Sequence, residues 1–207
     1  MVYETVSFGR STVARSRLTP EREAELYEAV LDLLREVGYD ALTMDAVAAR
    51  TRSSKATLYR QWGSKPELVA MSLRNSKPVD ISRIDTGSLR GDFHEMVSQS
   101  DDCQMERDTA LMRGLARAVH ENDDLLQALR ELFIEPEITG LDVLLQRAVD
   151  RGEISADNPA LKYLSHMLVG AFVAHPLIED DPMSQNFLHE YLDAVVLPAL
   201  GIPANGN

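Results

Sequence analysis

Lys55, Thr57, Tyr59, Arg60 and Gln61 crowd into one short stretch, KATLYRQW, together with Leu58 and Trp62. Ammonium, hydroxyl, guanidinium and amide groups can hydrogen-bond base edges and phosphates, and an aromatic side chain can touch a thymine methyl. Leu58 and Trp62 stand one helical turn apart and share a face. They should point inward and leave the polar groups outward, the form of a helix that enters a DNA groove. Catalytic chemistry has no comparable cluster. The histidines, His94, His120, His166, His175 and His189, form no HExxH, and none stands at metal-ligand spacing from Cys103. There is no phosphate-binding glycine loop and no nucleophile elbow. The sequence therefore predicts no catalytic residue, no metal site and no cofactor, and an enzyme is the disfavoured reading.

The flanking residues supply the elements that must hold this stretch. Thr43 is a good N-cap for a preceding helix, with Asp45 in its first turn where the helix dipole favours negative charge. Ala46, Val47 and Ala49 give that helix a small apolar surface. Thr51-Arg52-Ser53 reads as a tight turn, and Ser53 or Ser54 can cap the helix carrying Lys55 and Ala56 at its N-terminal end. Gly63 ends it, and Ser64 with Glu67 forms a capping box for a fourth helix, with Lys65 at its start. Upstream, Thr19-Pro20-Glu21 opens a first helix whose Leu26, Ala29, Val30, Leu33, Leu34 and Val37 form one apolar face, ended by Gly38.

The segment from Gly38 through Leu68, above all Ser54-Lys55-Ala56-Thr57-Leu58-Tyr59-Arg60 followed by an aromatic and Ser64-Lys65, resembles the DNA-binding domain of the tetracycline-repressor (TetR) family. The resemblance covers about the first 75 residues strongly; beyond them it is one of helical layout. It implies an all-α chain of about nine helices: an N-terminal three-helix helix-turn-helix domain and a C-terminal helical domain for effector binding and dimerisation. It places Lys55 and Ala56 at base-reading positions and Tyr59 at a thymine methyl or the backbone. Thr43, Thr57, Gln61 and Lys65 take phosphate-contact positions, and Arg52, Ser54 and Arg60 complete the expected DNA-facing set. Two positions depart from the family pattern. Arg52 stands where the turn usually has glycine, which costs about 1 kcal/mol if the residue is left-handed. Ser53 replaces a small aliphatic.

The formal net charge of −12 is unevenly divided. Of 21 Lys+Arg and 33 Asp+Glu, residues 1–75 hold 11 and 10, leaving 10 and 23 to residues 76–207. Within 41–75 the count is 6 basic to 2 acidic. Screening acts over about 8 Å at physiological salt, so acid a domain away barely opposes phosphate contacts and instead turns the basic end towards DNA. A chain of 207 residues can bury a sizeable core unaided, and its one cysteine can form no internal disulfide. No secretory leader is evident, and no stretch approaches 18 apolar residues without a charge or breaker. Together these predict a cytoplasmic protein with no membrane partner.

Residues 1–18, with Arg10, Arg15 and Arg17, read as a flexible N-terminal arm, either a tail or a minor-groove contact. The helix-turn-helix domain is set at 19–75, including the start of the connecting helix, and the effector and dimerisation domain at 76–207. Residues 76–91, with Pro78, Gly87 and Gly91, read as the linker. Helices are then predicted from Ser88 to Ser100, from Met105 to Val119, and from Asn122 to Arg151 with Pro136 kinking or dividing it. Asn158-Pro159 and Asp181-Pro182 are read as openings of the last two helices. The helix Leu161 to Ala174 is apolar nearly all round, and the last carries a wide apolar stripe.

A two-fold four-helix interface would bury both, which assigns Leu164, Leu168, Phe172, Phe187, Leu188, Tyr191, Leu192, Val195 and Val196 to a homodimer contact; a thicker subunit core is the competing reading. Met96, Met105, Met112, Phe133, His166, Met167 and Phe172 are candidate linings of a pocket for an unidentified, apolar small-molecule effector. If the family mechanism holds, the chain is a repressor that binds a palindromic double-stranded operator as a homodimer and is released by that effector. The alternative is an effector-independent DNA-binding or architectural dimer.

Overall fold

The computed structural model describes residues 19–76, 80–179 and 181–204. The N-terminal arm and part of the linker, Pro78 included, lie outside the described residues. Helix α1 (Pro20–Ala41) begins where Thr19 accepts the Arg22 amide at 3.3 Å. Gly38, at φ 75° and ψ 170°, breaks its last turn. The chain then folds back so that Tyr39 and Leu42 are buried. The predicted face is corrected at Val37, which is 47% exposed, while Tyr27 and Leu31 are buried. The reason is that α1 packs on two sides, against α4 (Lys65–Asn75) and against α6 (Asp102–Glu121), so its buried arc is wider than one stripe.

Helices α2 (Met44–Thr51) and α3 (Lys55–Trp62) complete the trihelical unit with α1. Beyond α4 come α5 (Leu89–Ser98), α6, α7 (Asp123–Leu129), α8 (Glu135–Asp150), α9 (Leu164–Ile178), α10 (Gln185–Tyr191) and α11 (Leu197–Ala199). Two π-helical turns, Arg130–Ile134 and Leu192–Val196, join α7 to α8 and α10 to α11. That leaves nine helical rods and no strand among the described residues. Each π turn lies just before a proline, Pro136 or Pro198. Proline has no amide hydrogen and its ring clashes with the carbonyl four residues back, so a wider turn there keeps the rod continuous. Pro136 thus divides its helix without ending it.

The two cap-then-proline openings need correction. Asn158 accepts the Ala160 amide at 2.8 Å, but helix follows only as a 3-10 turn at Leu161–Tyr163 and then α9. The last rod is capped by Ser184, which accepts the Phe187 amide at 3.2 Å, and not by Asp181. The linker is also more built than its composition suggests. Ile81–Arg83 forms a 3-10 turn, and Arg147 donates to the Ile84 and Ser82 carbonyls, each at 2.7 Å. Fully buried Asp92 accepts the Thr86 amide and hydroxyl, each at 2.7 Å, and lies 3.4 Å from Arg151.

Buried residues form two clusters. One joins α1–α4 to Leu111, Leu115 and Ala118 of α6 and Leu125, Ala128 and Leu129 of α7. The other joins α5, α8 and α9 to the last rod. Packing therefore runs on past residue 75, and the helix-turn-helix rests on α6 and α7 through one continuous core.

Candidate nucleic-acid interface and effector cavity

The turn before the recognition helix is held from three directions. Arg52 is left-handed at φ 51° and ψ 36°, the one non-glycine residue with positive φ among the described residues. The Ser53 amide bonds Ala48 O at 3.0 Å and the Arg52 amide bonds Ala49 O at 3.4 Å, the pairing in which a left-handed residue satisfies a helix end. Arg22 donates from α1 to Thr51 O, and the Thr51 hydroxyl donates to Val47 O at 2.8 Å. Ser54, not Ser53, caps α3: its hydroxyl oxygen accepts the Thr57 amide at 3.0 Å.

Leu58 and Trp62 lie in the core as expected. Trp62 Nε1 donates to Tyr27 OH at 3.1 Å, with the rings edge to face and centroids 5.9 Å apart. Lys55, Ala56, Tyr59 and Arg60 face solvent on α3, flanked by exposed Thr43, Arg52 and Ser54, while Thr57 and Gln61 are half-buried. The turn and caps thus bring the predicted DNA-facing residues to one end of the molecule. Lys65 differs from the rest. Its ammonium donates to Tyr39 O at 3.0 Å and Leu42 O at 3.1 Å, and sits 4.0 Å from the Tyr39 ring centroid. Burial holds its pKa below the ordinary lysine value.

Three polar residues of this end are paired. Lys55 Nζ donates to Asp45 at 2.9 Å, a bond that pushes its pKa up. Gln61 donates to Glu23 at 2.7 Å. Arg50 bonds both carboxylate oxygens of Glu36, at 3.1 and 2.6 Å, and that bond holds the Glu36 pKa down. The side chains of Arg52 and Arg60 are exposed and make no hydrogen bond or ion pair with another described residue.

Between the two cores a cavity of about 320 Å³ opens among α4, α5, α6, α8, α9 and the last rod. Met96, Met105, Met112, Phe133 and Phe172 line it, as the sequence suggested. His166 and Met167 do not; they line a separate groove with His175 and Phe187. At 100° per residue, Ser165, Leu168, Val169 and Phe172 take the cavity side of α9 and His166 and Met167 another side. A helix apolar nearly all round carries no clear pattern from which that phase could be read. The sequence also missed Leu73 of α4 and Ser76 just after it, Ile81 and Ile84 of the linker, and Ile138 and Leu141 of α8, all cavity walls. Several polar wall groups already have partners: Ser76 donates to Leu73 O and Tyr191 OH to Met167 O, at 2.8 and 3.3 Å.

The proposed dimer set divides. Leu164, Leu188, Leu192 and Val196 are buried within one subunit and have no surface to offer another. Leu168, Phe172, Phe187 and Tyr191 are half-buried and Val195 is exposed. The large bare apolar surface is instead Tyr163, Val169, Val173, Leu177 and Ile178, the last two each 74% exposed. The stretch Leu161–Ile178 is long and apolar enough, by length and composition alone, to cross a bilayer, and 17% of it is buried. Lys162 and Pro176 interrupt it.

Most of the chain is similar to DNA-binding regulators. Residues 26–71 match the family described as bacterial regulatory proteins, tetR family. Residues 83–195 match the tetracyclin repressor-like C-terminal domain. A helix-turn-helix-type transcriptional regulator of Mycobacterium tuberculosis strain H37Rv is 36% identical over 183 residues, 86% of this chain and 88% of the relative. The DNA-binding transcriptional repressor TetR of Mycobacteroides abscessus is 32% identical over 177 residues, 85% of this chain and 92% of the relative. Among solved structures, the TetR family transcription regulator SCO0332 superposes with a TM-score of 0.66 at 26% identity, covering 85% of this chain and 97% of that one.

Proposed function

Since the chain belongs to the TetR family of helix-turn-helix transcriptional regulators, we propose that it is a repressor. It binds a palindromic operator as a homodimer in the cytoplasm and is released by a small apolar effector. The observation that carries this is the outer face of α3, where Lys55, Ala56, Tyr59 and Arg60 stand exposed along a helix anchored by Leu58 and Trp62. In a dimer the two α3 helices must sit about 34–36 Å apart to reach successive major grooves. The DNA-reading unit is residues 19–75 and the effector and dimer unit 76–207, joined through the shared core of α1, α4, α6 and α7. Each DNA-facing residue named above keeps its assigned role, except that Lys65 supports the site through the Tyr39 and Leu42 carbonyls.

The bare face of α9 is the surface a second copy covers, with α10 beside it. Release follows from the path of α4, whose Leu73 and C-cap Ser76 border the cavity while its first turn abuts α3. An effector that fits the cavity better when α4 is displaced shifts the dimer from its operator-spaced state, by the difference between its two affinities. An effector-independent dimer would leave this apolar cavity without a purpose, so the cavity favours the released-repressor reading. Selection of bound sequences from random DNA with purified full-length protein tests the proposal: a two-fold consensus supports it, and no enrichment by a folded dimer overturns it.

A further inference from the structure

We infer that Asp45 is a specificity-determining residue of the DNA-reading surface, acting on Lys55. This rests on the reading of α3 as the recognition helix. Asp45 stands in the first turn of α2 and Lys55 in the first turn of α3, and the ion pair at 2.9 Å closes the space between the two helix starts. Both side chains are exposed, Asp45 at 73% and Lys55 at 47%, so the pair is a surface device and not part of the core.

A lysine at the leading end of a recognition helix has two uses on DNA. It can meet any phosphate as a point charge, or it can donate to a guanine edge. The first use adds affinity to every sequence alike and the second to one sequence. A carboxylate on Lys55 makes the general use compete with an intramolecular partner, and it adds a negative charge that any nearby phosphate must approach. It also narrows the directions in which the ammonium can donate. Gln61, at the other end of the polar face, is held in the same way by Glu23 of α1. Exposed Arg52 and Arg60 have no such partner among the described residues and are left to meet phosphates. Lys55, restrained by its carboxylate, thus reads, while the unrestrained Arg52 and Arg60 grip.

The test compares wild type, Asp45→Asn, Lys55→Ala and the double variant, as full-length protein, on the selected operator and on random-sequence duplex, over a range of salt. Asp45→Asn should tighten binding to random duplex by about three- to tenfold and steepen its salt dependence by about 0.9 per subunit, as one more phosphate contact per subunit does. On the operator the slope should stay as in wild type, because Lys55 is already engaged with a base. In the Lys55→Ala background the Asp45 substitution should no longer change the slope. Equal tightening on both duplexes would reduce Asp45 to a bulk charge and overturn the inference, as would no change on either. Those outcomes leave the recognition-helix reading standing. A wild type that distinguishes no sequence overturns that reading and this inference with it. Unaltered thermal melting of Asp45→Asn separates these effects from misfolding.

Discussion

The Lys65 ammonium lies 3.0 Å from the carbonyl oxygen of Tyr39 and 4.0 Å from the centroid of the same residue's ring. One side chain thereby ties the broken end of α1 to the start of α4. Burial pushes the Tyr39 phenol up to about 12, so the ring stays neutral at any working pH. Lys65→Ala should cost about 1–3 kcal/mol, the range for hydrogen bonds to a charged group with carbonyls left behind. It should lower operator affinity and melting temperature together. Chemical denaturation beside a binding isotherm checks this. Weakened binding with unchanged stability would return Lys65 to a direct phosphate contact.

Tyr27→Phe removes the acceptor of the Trp62 indole and leaves that N–H buried without a partner. The expected loss is about 1–2 kcal/mol, with the DNA-facing residues untouched. Urea titration followed by tryptophan emission reads it directly, since Trp62 is the chain's one tryptophan.

Arg52→Gly relieves a left-handed non-glycine residue at the end of α2. Stability should rise by up to about 1 kcal/mol, reduced by the greater freedom of glycine in the unfolded chain. On the proposed role of Arg52 as a phosphate contact, operator affinity should fall. A variant melting below wild type would mean that the Arg52 side chain holds the turn.

Leu177→Asp, on the bare face of α9, should leave the fold intact and give a monomer that no longer holds an operator. Light scattering and circular dichroism decide it. A dimer that survives this substitution and Val173→Asp would place the two-fold contact elsewhere.

The His189 pKa is lowered, by burial first and then by His94, whose ring centroid is 4.6 Å away. The unfolded chain therefore takes up the proton more readily. Stability from this group is complete above the unfolded value near 6.5, and is lost as pH falls through the lower folded value. Melting temperature should drop as pH falls below about 6.5, and His189→Gln should flatten the drop. An equal slope in the variant would assign the acid sensitivity to other groups.

The helix-turn-helix was legible because its signals are local. Thr43, Ser54 and Ser64 cap helices as their sequence positions suggested, and each bonds an amide three residues on. The second half was less so. Pro159 and Pro182 looked like helix openings, yet neither starts one, because the same dipeptide also serves a turn. Val37 kept helical spacing with the core of α1, yet faces out.

The sequence by itself determined the elements, the polar face of α3, the apolar character of α9 and the division of charge, since propensity, capping and formal charge reside in neighbouring residues. Tertiary structure alone decided which partners those groups have. That Lys65 serves Tyr39 and Leu42, that Asp45 holds Lys55, that α9 turns Phe172 and not His166 to the cavity, and that Leu192 is spent inside the subunit all depend on how helices rotate against one another. That rotation is set by packing among residues distant in sequence, and no local pattern encodes it.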